Sequence, residues 1–87
     1  MNPVVWLETA LDLLADIWVQ ATPEERDRIA AAIDRANAEL ADDPSGSGES
    51  RSGNDRVLCR LPIAVRFRVD PGPTVIVYHV HHVRARR

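Results

Sequence analysis

The chain has 87 residues, of which 45% are hydrophobic, enough for one small globular domain spanning 1–87. It has no run of eighteen apolar residues to cross a membrane, no basic region leading into an apolar stretch as a signal peptide needs, and a single cysteine, Cys59, which has no internal disulfide partner. A cytoplasmic protein without membrane contact is therefore expected. The net charge of −2 conceals a division: residues 1–45 hold ten acids and three arginines, a net of −7, whereas residues 46–87 hold three acids and eight arginines, a net of +5, and there is no lysine. A basic surface built from the second half would suit an anionic partner.

The segment PVVW (3–6) is rich in β-branched residues and reads as a short first strand or an extended lead-in. A helix follows, with Leu7, Leu11, Leu14 and Trp18 at helical spacing, Ala10 and Ile17 beside them, and Glu8, Asp12 and Asp16 on the other side. TPEE (22–25) starts a second helix: Thr22 caps, Pro23 suits the first turn and Glu25 completes a capping box. Its stripe is Ile29, Ile33, Ala36 and Leu40, and Pro44 disfavours helix at Asp43. Two helices joined this tightly form an antiparallel hairpin.

SGSGESRSGND (45–55) has the composition of a loop. Three strands follow. The first is RVLCRL (56–61). In IAVRFRV (63–69), Val65, Phe67 and Val69 face one way, and Arg66 and Arg68 the other. After the turn DPGP (70–73), TVIVYHVHHV (74–83) begins apolar on both faces, like a central strand, and ends polar. The expected fold is α+β, with the N-terminal helical hairpin packed on a three- to four-stranded antiparallel sheet. The expected contacts place Leu11, Leu14, Trp18, Ile29, Ile33 and Leu40 against Val65, Phe67 and Val77.

The chemistry gathers at the end of the last strand. Its histidines and arginines read as an active site, as a metal pair, or as a solvated strand end that protects an edge. His79 and His81 share one strand face and His82 takes the other, so only one set can meet Arg66 and Arg68. His79-x-His81 is a two-ligand pair whose only soft companion is Cys59. That falls short of a zinc site, so no metal and no cofactor are expected. Cys59 reads as a small buried hydrophobe. Trp6 and Trp18 read as core, with Trp18 alternatively a partner contact, and Tyr78 reads as core beside Ile76 and Val80.

Taken in order, ALDLLADIW (10–18), the helix carrying Arg28, Ile29, Ala32 and Ile33, Leu40 to Pro44, GESR (48–51), RVL (56–58), AVRFRV (64–69) and VIVYHV (75–80) resemble the RelE/ParE superfamily of bacterial toxins. The resemblance covers nearly the whole chain and implies the toxin component of a type II toxin–antitoxin system, with a separately encoded antitoxin as partner. RelE-like members cut mRNA, usually on the ribosome; ParE-like members inhibit DNA gyrase and are not nucleases. A catalytically inert relative that keeps the fold as a protein-binding module is a further alternative. Arg56 and Arg60 stand where RelE-like nucleases carry lysines, Ala64 stands where they carry an arginine, the basic position of the last strand falls near His82 or Val83, and no tyrosine follows it.

In RNA cleavage of this kind the ribose 2′-OH attacks, so a base, an acid and phosphate-holding cations are required. For these roles the residue types offer His82 and His81 as candidate acid or base and Glu49, from the loop, as a candidate base. Arg51, Arg56, Arg60, Arg66, Arg68 and Arg84 are the candidate nucleic-acid-binding cations, and the resemblance, which places the family's site on these strands, implies that His82, Arg56 and Arg68 line one anion site, with His81 beside them.

Overall fold

A computed structural model describes residues 2–50 and 55–84. Strand β1 (Val4–Trp6) leads into helices α1 (Glu8–Gln20) and α2 (Pro23–Asp42). Strands β2 (Glu49–Ser50), β3 (Asp55–Arg60), β4 (Ile63–Asp70) and β5 (Thr74–His82) follow. The capping box forms as the sequence requires: Glu25 N donates to Thr22 Oγ1 at 3.2 Å, and Thr22 N donates to Glu25 Oε1 at 2.9 Å. The bond from the Thr22 backbone, with the Thr22 side chain next, holds the Glu25 carboxyl below its ordinary pKa. At the far end, Asp43 N donates to the Glu39 carbonyl at 2.9 Å, and Ser47 Oγ donates to the Asp43 carbonyl at 2.6 Å, satisfying groups that the end of α2 leaves free.

The strands form one sheet in the order β1-β5-β4-β3-β2. The α+β arrangement is the expected one, but the sheet is mixed: β1 runs parallel to β5, and the other pairs are antiparallel. A parallel neighbour needs a crossover, and the helical hairpin is part of that connection. The two-residue β2 lies in the stretch read as loop, and Gly48 admits it. Its φ is +71°, and a Cβ there would sit 2.4 Å from the Val57 carbonyl oxygen.

Both helices pack on one face of the sheet. The core joins Ala10 of α1 and Ile29, Ala32, Ala36 and Leu40 of α2 to Leu58, Ile63, Val65, Phe67, Val75, Val77 and Val80. The strand residues expected there, Val65, Phe67 and Val77, are fully buried. On α2, Ile29 and Leu40 are buried as expected and Ile33 only partly so.

Helix α1 corrects the sequence reading. Leu11 is 49% exposed and Trp18 39%, while Ala10, Leu13, Leu14 and Ile17 meet the core. Both rows have helical spacing, and the sheet takes the one containing Ala10, which lets α1 lie close over β5. Trp18 instead lies under Arg26, whose guanidinium carbon is 5.6 Å from the ring centroid and whose Nε donates to the Trp18 carbonyl at 2.9 Å. Trp6 packs against the core and donates from its indole to Asn37 Oδ1 at 2.9 Å, tying β1 to α2.

Phe67→Ala should lower the free energy of unfolding by about 3–5 kcal/mol. Leu11→Ala should change it by less than about 0.5 kcal/mol. Urea denaturation followed by circular dichroism checks both, and equal losses would overturn this assignment of the buried face of α1.

Candidate functional site

The face of the sheet turned away from the helices carries the polar cluster, and an irregularity in β5 decides its membership. Phe67 pairs with Val77, yet Arg66 pairs with His79, so Tyr78 is an extra residue on β5. Before it, Val75 and Val77 point to the helices; after it, Val80 does. His79 and His81 therefore stay on the open face, opposite Arg66 and Ala64 respectively. The sequence does carry a signal for this, a switch in the phase of buried valines between Val77 and Val80, which Ile76 conceals.

On the open face a shallow depression of about 630 Å³ is lined by Val57, Cys59, Ala64, Arg66, His79, His81 and Val83. The rings of His79 and His81 lie 5.7 Å apart between centroids, tilted by 44°. Burial, then His81, then Arg66 lower the pKa of His79 from its ordinary value, because each disfavours the charged imidazolium. Tyr78 is half-buried beside Asp55 and Arg66 and is not core as read from sequence; burial first, then Asp55, pushes its phenol up. Cys59 is exposed, which corrects its reading as a buried hydrophobe: it alternates with buried Leu58 and so falls on the face no helix covers.

The expected trio of His82, Arg56 and Arg68 does not converge. His82 pairs with Ile63 and Arg56 with Phe67, both core residues, so these two turn to the helix side, whereas Arg68 lies on the open face, 3.0 Å from Asp70 Oδ1. His82 lines a pocket of about 310 Å³ with Asp16, Glu25 and Arg84 at the C-terminal end of α1, which His79 and His81 border from the other side of β5. Arg60 is engaged by a two-pronged pair with Glu39 of α2, through Nε and Nη2. Of the expected phosphate-holding arginines, Arg66 joins the histidine pair, Arg68 sits farther along its strand, and Arg84 is exposed beyond the end of β5. Arg51 lies outside the described residues, and only the backbone of Glu49 is described, as part of β2. Among the described residues no three His, Cys, Asp or Glu side chains are grouped to hold a metal ion, and no helix is long and apolar enough to cross a membrane.

The arrangement offers a permanent cation, Arg66, beside two imidazoles, over the small side chain of Ala64. That is the equipment for holding an anion, with acid–base groups within the same depression.

No family model and no curated protein matches this sequence. Solved structures do. A chain in the chromosomal ParDE TA system from P. aeruginosa superposes with a TM-score of 0.71 at 24% identity, covering 97% of this chain and 98% of that one. A chain in the toxin-antitoxin complex RelBE2 from Mycobacterium tuberculosis superposes with a TM-score of 0.68 at 22% identity, covering 93% and 96%. At these identities the likeness is one of fold, and it covers nearly the whole chain.

Arg60 holds the Glu39 carboxyl below its ordinary pKa of 4.5, chiefly by hydrogen bonding. A depressed carboxylate contributes stability above its unfolded pKa and loses it as pH falls through the folded value. Both side chains are about a third exposed, so Glu39→Gln should cost less than about 1 kcal/mol near neutral pH. That difference should vanish in acid. Denaturant melts of both proteins across this range provide the check.

Proposed function

We propose, from a fold shared over nearly its whole length with chains of the ParDE and RelBE2 assemblies, that this protein is the toxin component of a type II toxin–antitoxin system. It acts in the cytoplasm and is neutralised by a separately encoded antitoxin. The observation that carries this reading is the extent of the match: 97% of this chain and 98% of the other in one case, 93% and 96% in the second. A shared fold alone does not specify chemistry, so the target is argued from the site.

The RelE-like reading takes mRNA, engaged on the ribosome, as target. Arg66, His79 and His81 supply a phosphate-holding cation and two acid–base groups on one face, and His81 alone of the proposed acid–base histidines is in that cluster. Ala64 opposite His81 leaves the face without the arginine that the RelE-like pattern places there. Positioned cations stabilise the charge of a phosphoryl transition state, so the missing one predicts slow cleavage. The same feature favours the second reading, a ParE-like inhibitor of DNA gyrase that needs no nuclease set. An inert relative would keep only the partner surface.

That surface has a physical basis on α1. Leu7, Leu11 and Trp18 form an exposed apolar row, flanked by Glu8 and Asp12. Unpartnered apolar rows of this kind are suited to burial by another chain. An antitoxin segment that covers this row and continues to the arginine-bearing sheet face would meet both halves of the divided charge.

Induced expression in a bacterium should arrest growth, and co-expression with the neighbouring reading frame should relieve the arrest and yield a complex on affinity purification. Sequencing of mRNA ends after induction separates the targets. Arrest with new mRNA ends supports the RelE-like reading, and arrest without them the gyrase reading. Normal growth together with recovery of the chain alone would count against a toxin.

A further inference from the structure

We propose that the depression over Ala64 is an anion site gated by pH: Arg66 supplies a permanent charge, and His79 and His81 add theirs as they protonate, so a phosphodiester backbone is gripped in acid and released in base. The choice of an RNA backbone as ligand rests on the toxin reading above; the gating rests on the geometry alone.

Three features combine. The bulge at Tyr78 keeps both histidines on the open face, and their rings approach to 5.7 Å between centroids. Arg66 pairs directly with His79 across the strands. Ala64, paired with His81, contributes only a methyl group to the floor, which leaves room above it. A neutral imidazole offers one N–H donor and a protonated one offers two, so acid adds donors as well as charge.

The remaining charged groups do not cancel this arrangement. On β4, Arg68 is paired with Asp70. On β3, Asp55 lies beside Tyr78, and Cys59 borders the depression. β1 carries no titratable side chain. From the helices, Asp16 and Glu25 line a neighbouring pocket that His79, His81, His82 and Arg84 also border; Glu25 feels the charge of His82, whereas the charges acting on His79 are those of His81 and Arg66.

Without an anion, His81 and Arg66 both oppose a positive charge on His79. The depressed pKa of His79, which burial leads and these two neighbours reinforce, fits that balance. An anion in the depression reverses the sign of the local field and favours protonation. By linkage, protonation must then favour the anion to the same degree.

The test uses the full chain and a fluorescently labelled single-stranded oligouridylate, titrated at low fixed salt at about pH 5.5 and about pH 8. A one-unit rise in imidazole pKa on binding corresponds to a tenfold change in affinity, so binding should be about tenfold or more tighter at the lower pH. His79→Gln and His81→Gln should each flatten this dependence, and the double variant should abolish it. His82→Gln should preserve it, and Arg66→Ala should weaken binding at both pH values. Circular dichroism confirms that each variant is folded. Equal wild-type affinity at the two pH values would overturn the proposal, as would a pH dependence that survives in the folded double variant. Growth arrest is read separately: arrest without pH-dependent binding removes this inference and leaves the toxin reading, and pH-dependent binding without arrest does the reverse.

Discussion

The pairing of β4 with β5 holds one residue more on β5 than on β4, and that mismatch sets both the core and the polar face. A strand alternates its side chains strictly, so an uninterrupted β5 would carry the phase of Val75 and Val77 on to His79 and His81, sending both histidines under α1. Burying two imidazoles there would cost desolvation without partners. The extra residue, Tyr78, resets the phase. Val80 completes the core beneath α1, and the histidines emerge beside Arg66. Bulges commonly re-aim side chains near functional sites, and here the device serves packing and chemistry at once.

The same division into two faces explains how a chain with nearly balanced charge is strongly polarised in sequence. The helical hairpin carries most of the acids, and the half of the chain that follows it carries most of the arginines, four of them on β3 and β4. Arg60 on the helix-facing side of β3 is engaged by Glu39 of α2, and Arg68 on the open side by Asp70. The arginine count therefore overstates the charge available to a ligand. Position relative to the helices, more than number, decides which arginines are offered to a partner. Arg66, exposed on the uncovered face between β3 and β5, is offered.

The two helices show a related economy of design in apolar surface. Helix α2 has one dominant apolar stripe, with small alanines at positions 32 and 36 that bring it close to the sheet. Helix α1 has two adjacent stripes, and the sheet can cover only one. The row left outside, Leu7, Leu11 and Trp18, remains partly solvated, with Arg26 stacked on Trp18 at the turn between the helices. Apolar side chains left in this way are inexpensive individually. As a continuous row beside carboxylates, they give a second chain something to read.

The capping box at Thr22, the end of α2 before Pro44, the helical hairpin and the alternation of β4 were all legible in the sequence, because each is enforced by local chemistry within a few residues. The order of elements was enough for the α+β class and the family resemblance. Pairings between distant segments were not legible. Nothing local in PVVW says that β1 runs parallel to β5, and helical spacing fits both stripes of α1 equally, so only the shape of the sheet chooses Ala10 over Leu11. The site divides in the same way. Sequence alternation separated His82 from His79 and His81 and kept Arg66 with Arg68. It could not tell which histidines meet the arginines, because that depends on one extra residue against a partner strand. Nor could it tell that Cys59 is exposed and Arg60 engaged by Glu39, because coverage by helices is a property of the assembled layers.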